Sequence, residues 1–267
     1  MSSAERGATG LRTNFATRTY RWLLLSAMLG ACSWSAAASE PQRPLRVLFV
    51  GNSYLYANNL PGAVQALAAA RGVTIEATLR AEPDYSLSDH LRNRRLAPLL
   101  QESWDWVVLQ QGPSALPESR RDLVDSARRI AAQMKEKPIR IALMSAWPAQ
   151  RNASMSLRAE ASYREAATVI KACILPVASA WRIARARANP PPLYAEDRLH
   201  PTPIGTLLSA MTVTRGLLGM ESDQAFNAPD GADEVNLAAF RLLDEAARAA
   251  QGQETADCLA PHRVPGG

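Results

Sequence analysis

Cysteine, histidine and aromatic residues are all scarce in this chain of 267 residues, with three cysteines, three histidines and 6% Phe, Trp and Tyr. The cysteines stand far apart at Cys32, Cys173 and Cys258, and neither Cys-x-x-Cys nor His-x-x-x-His occurs, so no metal site is expected. No glycine-rich phosphate loop follows the first strand pattern, which argues against nucleotide and flavin binding and leaves no cofactor to expect. Long apolar runs are missing too. The one candidate, Trp22 to Ala31, is shorter than the roughly 20 residues that a membrane helix needs. The clusters Arg92/Arg94/Arg95 and Arg182/Arg185/Arg187 have no interleaved aromatics, so they read as solvated helix faces and not as a nucleic-acid footprint. Of the net charge of +5, residues 1–39 contribute a surplus of three through four Arg and one Glu, which leaves +2 for the rest.

What the chain does have is 47% hydrophobic residues, ample for one sizeable core. At its amino terminus Arg12, Arg18 and Arg21 precede the apolar stretch, and Ala36-Ala37-Ala38-Ser39 follows it. That is the build of an export signal, assigned to residues 1–39. Two fates stay open: cleavage after Ala38, or lipidation at Cys32, since Leu29-Gly30-Ala31-Cys32 resembles the lipobox of bacterial lipoproteins. A periplasmic or secreted location is expected, with membrane attachment only if Cys32 is lipidated. In that oxidising setting Cys173 and Cys258 either pair, or Cys173 is a buried thiol on a helix.

Residues 40–44 read as a short linker, 45–251 as a single domain and 252–267 as a loose tail. Leu45 to Val50 is an almost continuous apolar run that stops at Gly51, as suits a parallel strand covered on both faces. Asn58 or Asn59 caps a helix with Pro61 in its first turn, ended by Gly72. Residues 73–78 read as the second strand, 86–101 as one helix and 105–110 as the third strand. A helix with Leu123, Ala127, Ile130 and Met134 on one stripe follows, then a strand at 139–144 and a helix at 156–172. A fifth strand at 174–177, a helix at 180–188 and the connector Asn189-Pro190-Pro191-Pro192 lead to a loop over 193–200. Thr202 and Pro203 open another helix, and 234–250 is the last. The alternation predicts a three-layer α/β/α domain with a five-stranded parallel sheet.

Open parallel sheets bind their ligands just beyond the carboxyl ends of the strands, which is where Ser53 stands. A serine there also serves as a helix cap, so alone it declares nothing. Asp197-Arg198-Leu199-His200 supplies a carboxylate and an imidazole three residues apart in a loop, and Pro201 keeps His200 out of the following helix. The loops after the first and fifth strands end on the same sheet edge. Nucleophile, base and orienting acid are thereby available together as Ser53, His200 and Asp197. Gly51-Asn52-Ser53-Tyr54-Leu55 lacks the second glycine of Gly-x-Ser-x-Gly and follows the first strand, which excludes an α/β-hydrolase. His90, in a helical pattern, and His262, in the tail, have no carboxylate at a comparable loop spacing. They read as packing or surface residues.

On Gly51-Asn52-Ser53 and Asp197-Arg198-Leu199-His200, the chain resembles the SGNH hydrolase superfamily, also called GDSL-like lipases and esterases, from Leu45 to Leu218. The resemblance implies a flavodoxin-like fold and ester hydrolysis through an acyl-enzyme on Ser53, with His200 as general base then acid and Asp197 orienting it. The middle blocks depart from the family pattern. Where a glycine amide joins the oxyanion hole beside the nucleophile's own amide, here that of Ser53, this chain has Pro83-Asp84-Tyr85-Ser86-Leu87, so Asp84 would supply it. Where the family has Gly-x-Asn, this chain has Gly112-Pro113-Ser114, leaving Ser114, Gln110 or Gln111 to replace the asparagine. Gln110 is favoured because it ends a strand and keeps a carboxamide. Short loops without a lid imply small acyl groups, such as acetyl on carbohydrate. The partner is then a small-molecule or glycan ester and the protein a monomer. The altered blocks keep a catalytically weakened glycan- or lipid-binding protein as an alternative, and acyl transfer is a third reading.

Overall fold

The structure, a computed structural model, describes residues 43–252 apart from 230 and 232. The expected export signal with Cys32, most of the 40–44 linker, and the tail from 253 with Cys258 and His262 lie outside the described residues.

Five strands form one parallel sheet in the order β2-β1-β3-β4-β5: β1 Leu45–Gly51, β2 Ile75–Ala81, β3 Trp106–Leu109, β4 Arg140–Met144 and β5 Cys173–Leu175. β1 and β3 lie inside the sheet and are buried almost throughout, as their apolar runs require. β2 lies at an edge. Its register with β1, from Leu45↔Ile75 to Gly51↔Ala81, carries it past the expected end at residue 78. An edge strand needs no continuous apolar run, so the polar Arg80 gave no sign that the strand runs on to Ala81. Cys173 begins β5 and is not on a helix, which corrects the sequence expectation.

Helices cover both faces: α1 Ser53–Tyr56, α2 Leu60–Ala69, α3 Leu87–Asn93, α4 Leu96–Leu99, α5 Pro117–Ala132, α6 Ser156–Ile170, α7 Val177–Arg185, α8 Pro203–Leu218 and α9 Glu234–Gln251. α3 packs with α5 and α5 with α6, whereas α2 packs with α8, and α9 with α7 and α8. The single helix expected over 86–101 is broken in two. Ser86 and Asp89 form a capping box at the start of α3, and Arg94 ends it with a φ of +59°. α7 starts earlier than its pattern suggested, because Pro176 closes the short fifth strand and caps the helix. Among the described residues no helix is long and apolar enough to cross a membrane.

Candidate active site

At the carboxyl end of β1 the chain turns sharply into α1. Asn52 is the cap of that helix, its side chain accepting from the Tyr54 amide at 3.3 Å, so Ser53 is freed from capping and becomes the first helical residue. Gly51 is glycine for want of room: a Cβ there would lie 2.2 Å from Oε1 of Gln110 and 2.8 Å from Cδ1 of Leu55. Ser53 Oγ lies 2.8 Å from His200 Nε2.

His200 arrives on the loop between α7 and α8. Its Nδ1 lies 2.5 Å from Asp197 Oδ2, while Asp197 Oδ1 accepts from the amides of Leu199 and His200, each at 2.9 Å. The loop closes tightly because Arg198 adopts a φ of +58° and its amide returns to the Ala195 carbonyl. Hydrogen bonds from the His200 ring and from the two amides hold the Asp197 carboxyl down at about 2. The carboxylate can only accept, so Nδ1 carries the proton and Nε2 is left to accept from the Ser53 hydroxyl. That arrangement can deprotonate a serine attacking an electrophilic carbon.

A cleft of about 510 Å³ opens over Ser53. Its walls come from the β2–α3 loop with Asp84, the β3–α5 loop with Ser114, and the β4–α6 loop with Arg151 and Asn152. Asp84 has a φ of +58°, the left-handed conformation that glycine adopts most easily and that aspartate tolerates better than most. Among the described residues, the backbone amides of Ser53 and Asp84 have no hydrogen-bond partner.

The side-chain donors expected from the sequence sit otherwise. Gln110 is fully buried, with Oε1 accepting from the Asn52 amide at 3.0 Å and Nε2 donating to Asn52 Oδ1 at 3.1 Å and to the Gln111 carbonyl at 2.6 Å. It is spent on the nucleophile turn and does not line the cleft, which corrects its assignment as an oxyanion donor. Ser114 does line the cleft, but its hydroxyl donates to the Gly112 carbonyl and accepts from Gln111 Nε2. Gln111 in turn accepts from the Leu87 amide and is braced by Tyr163. Among the described residues no group of three or more His, Cys, Asp or Glu is placed to hold a metal ion.

Several supporting residues escaped the sequence reading. Tyr54 stacks on Trp147 with centroids 4.6 Å apart, Trp147 on Trp181 at 3.8 Å, and the Trp181 and Tyr194 rings meet edge-on at 5.0 Å. This column supports the histidine loop: Tyr54 meets the His200 ring edge-on, and Trp147 Nε1 donates to the Leu199 carbonyl. Asn58, read only as a possible cap, donates to the Pro201 carbonyl at 2.7 Å and so ties the serine side to the histidine side. His90 is buried, with Nε2 2.7 Å from the Gly51 carbonyl. The only available signal was the presence of Trp and Tyr in a chain poor in aromatics. Column order and loop closure depend on tertiary contacts that no local pattern encodes.

No protein-family model and no curated protein matches the chain. Solved structures do. A DUF4886 family protein from Bacteroides uniformis aligns over 80% of this chain and 98% of its own, with a TM-score of 0.65 and 19% identity. A candidate SGNH hydrolase from Slackia heliotrinireducens aligns over 65% of this chain and 98% of its own, with a TM-score of 0.56 and 26% identity. A lipase/acylhydrolase from Enterococcus faecalis shares the fold over 64% of this chain and 94% of its own, with a TM-score of 0.53 and 14% identity. The parallel five-stranded α/β/α sandwich is thus the fold of the SGNH hydrolases, and the chain is similar to divergent proteins of that superfamily.

Proposed function

We propose that the protein is a serine esterase or deacylase that cleaves carboxylic esters through an acyl-enzyme on Ser53. The observation that carries this is the continuous hydrogen-bonded chain from Ser53 Oγ through His200 to Asp197, at 2.8 and 2.5 Å. His200 Nε2 takes the hydroxyl proton as Ser53 attacks the acyl carbon, and returns it to the departing alcohol. Water, deprotonated by the same nitrogen, then releases the acid. Asp197, ionised at any pH above about 2, keeps the imidazole in the required tautomer and balances the imidazolium that forms. The unpartnered amides of Ser53 and Asp84 serve as the oxyanion donors.

The cleft wall is largely apolar, with Pro113, Leu116, Met155 and Leu199, and carries a few polar groups, Asp84, Ser86, Asp122 and Asn152, that can hydrogen-bond a hydroxylated alcohol. This supports a short acyl group such as acetyl on carbohydrate as the substrate. Export rests on residues 1–39, whose basic, apolar and small-residue sections read as a signal. The deciding experiment is turnover of p-nitrophenyl acetate by the wild type and by Ser53→Ala. The substitution is expected to lower kcat by at least about 10³-fold while the thermal midpoint holds. Equal turnover by the two proteins, or labelling by a fluorophosphonate at a residue other than Ser53, would overturn the proposal.

A further inference from the structure

The peptide unit between Gly51 and Asn52 is held at both ends. Its carbonyl accepts from His90 Nε2 at 2.7 Å and from the Glu82 amide at 3.3 Å, and its N–H donates to Gln110 Oε1 at 3.0 Å. The Asn52 side chain continues outward from that point. Oδ1 accepts from Gln110 Nε2, and Nδ2 donates to the Tyr85 carbonyl at 3.1 Å. Gln110 and Asn52 therefore form a reciprocal pair, and Asn52 bridges from that pair to the loop that carries Asp84. The two amides without protein partners, of Ser53 and Asp84, stand at the two ends of this bridge.

We propose that Gln110 is a positioning residue: acting through Asn52, its carboxamide fixes the spacing between the Ser53 and Asp84 amides, a role that presupposes Ser53 as the nucleophile. Three observations converge on it. Gln110 is fully buried, so its donor and acceptor must be satisfied internally, and the Asn52 pair satisfies both with one orientation of the amide. Gly51 leaves no room for a Cβ beside Gln110 Oε1, so the turn and the carboxamide fit each other closely. Asn52 cannot be replaced by aspartate without setting a carboxylate against the Tyr85 carbonyl, which accepts only. The oxyanion hole is then built from backbone amides, and the side chain that would have been a third donor instead fixes where those two lie.

The test is steady-state kinetics on p-nitrophenyl acetate with Gln110→Met, Gln110→Glu, Asn52→Asp and Ser53→Ala, each with its urea midpoint. Gln110→Met keeps the volume and loses both hydrogen bonds to Asn52 together with the one to the Gln111 carbonyl. Its kcat is expected to fall ten- to a hundredfold with KM within about twofold, because a misplacement near 1 Å costs rate rather than binding. Gln110→Glu restores the donor only when its buried acid is protonated, so its kcat relative to wild type is expected to rise as pH falls. A purely structural role would lower the urea midpoint and leave the kcat of the folded enzyme unchanged, and that result overturns the proposal. Should Gln110→Met not fold, Asn52→Asp decides: a tenfold or greater loss of kcat supports the bridge, and wild-type kcat overturns it. Wild-type turnover by Ser53→Ala removes the nucleophile and the positioning role together. An inactive Ser53→Ala beside a fully active, folded Gln110→Met removes the positioning role alone.

Discussion

His90 shows how far a side chain's surroundings can depart from its local pattern. Burial, reinforced by the nearby Arg80 cation and opposed by Glu82, Asp89 and the bond to the Gly51 carbonyl, lowers its pKa below the ordinary 6.5. The carbonyl can only accept, so Nε2 holds the proton, and Nδ1 is buried without a partner. A second proton there has nowhere favourable to go. Between the lowered native pKa and 6.5 the unfolded chain binds more protons than the folded one, so stability rises with pH in that window and falls as pH drops below about 6.5. Urea unfolding at pH 7.5 and pH 5 is expected to show a smaller loss in His90→Gln, which keeps a donor for Gly51, than in the wild type. Equal losses would mean that His90 does not carry the effect. The meeting of Ser53, His200 and Asp197 is legible in the sequence because strand ends, loop position and Pro201 are all local signals. The role of Gln110 is not, since a carboxamide at a strand end can face the cleft or the neighbouring turn, and only the packing of β1 against β3 decides which.

At the scale of elements, α8 is placed by one glycine. A Cβ on Gly205 would stand 2.4 Å from the Leu193 carbonyl oxygen and 2.9 Å from the Trp181 ring. That carbonyl also receives the Thr202 amide at 2.9 Å, so it cannot give way without moving the cap of α8. Gly205→Ala gains at most about 1 kcal/mol of helix propensity, whereas the backbone overlap costs about 1–3 kcal/mol, so a net loss is expected in urea unfolding. His200 lies only a few residues upstream, and a shifted first turn is expected to lower kcat as well. A variant as stable and active as the wild type would show that α8 can retreat freely. Much of the fold is legible at this scale. The order of strands and helices follows from apolar runs, caps and Pro or Gly stops, as at Thr202–Pro203 and Asn59–Pro61. The failures have local causes: the edge position of β2 hid its length, and the left-handed turn at Arg94 split a helix whose periodicity ran on.

At the scale of the whole molecule, the last helix is held to the rest by an arginine that no pattern flags, set in the otherwise apolar and small-residue helix α8. Arg215 is fully buried. Its Nη1 donates to the Gln224 carbonyl at 2.5 Å, its Nη2 to the Glu221 carbonyl at 2.6 Å, and its Nε to Gln251 Oε1 at 3.1 Å, so it joins α8, the following turn and the end of α9. Asp244 of α9 lies 3.6 Å away. Burial brings the guanidinium down to about 10, which leaves it charged at neutral pH, and pushes the Asp244 carboxyl up against the opposing pull of Arg215 and Arg248. Arg215→Met fills the space but leaves three acceptors and a buried carboxylate without this partner. Such losses cost about 3–5 kcal/mol, and Arg248, 3.3 Å from Asp244, keeps this case at the lower end. Because a fold of this kind has only about 5–15 kcal/mol to lose, the urea midpoint is expected to drop sharply while the kcat of the folded fraction stays unchanged. Adding Asp244→Leu to Arg215→Met removes the stranded charge and is expected to recover part of the loss. If the single variant costs under about 1 kcal/mol, α9 is held by its apolar face against α7 and α8 and the arginine is incidental.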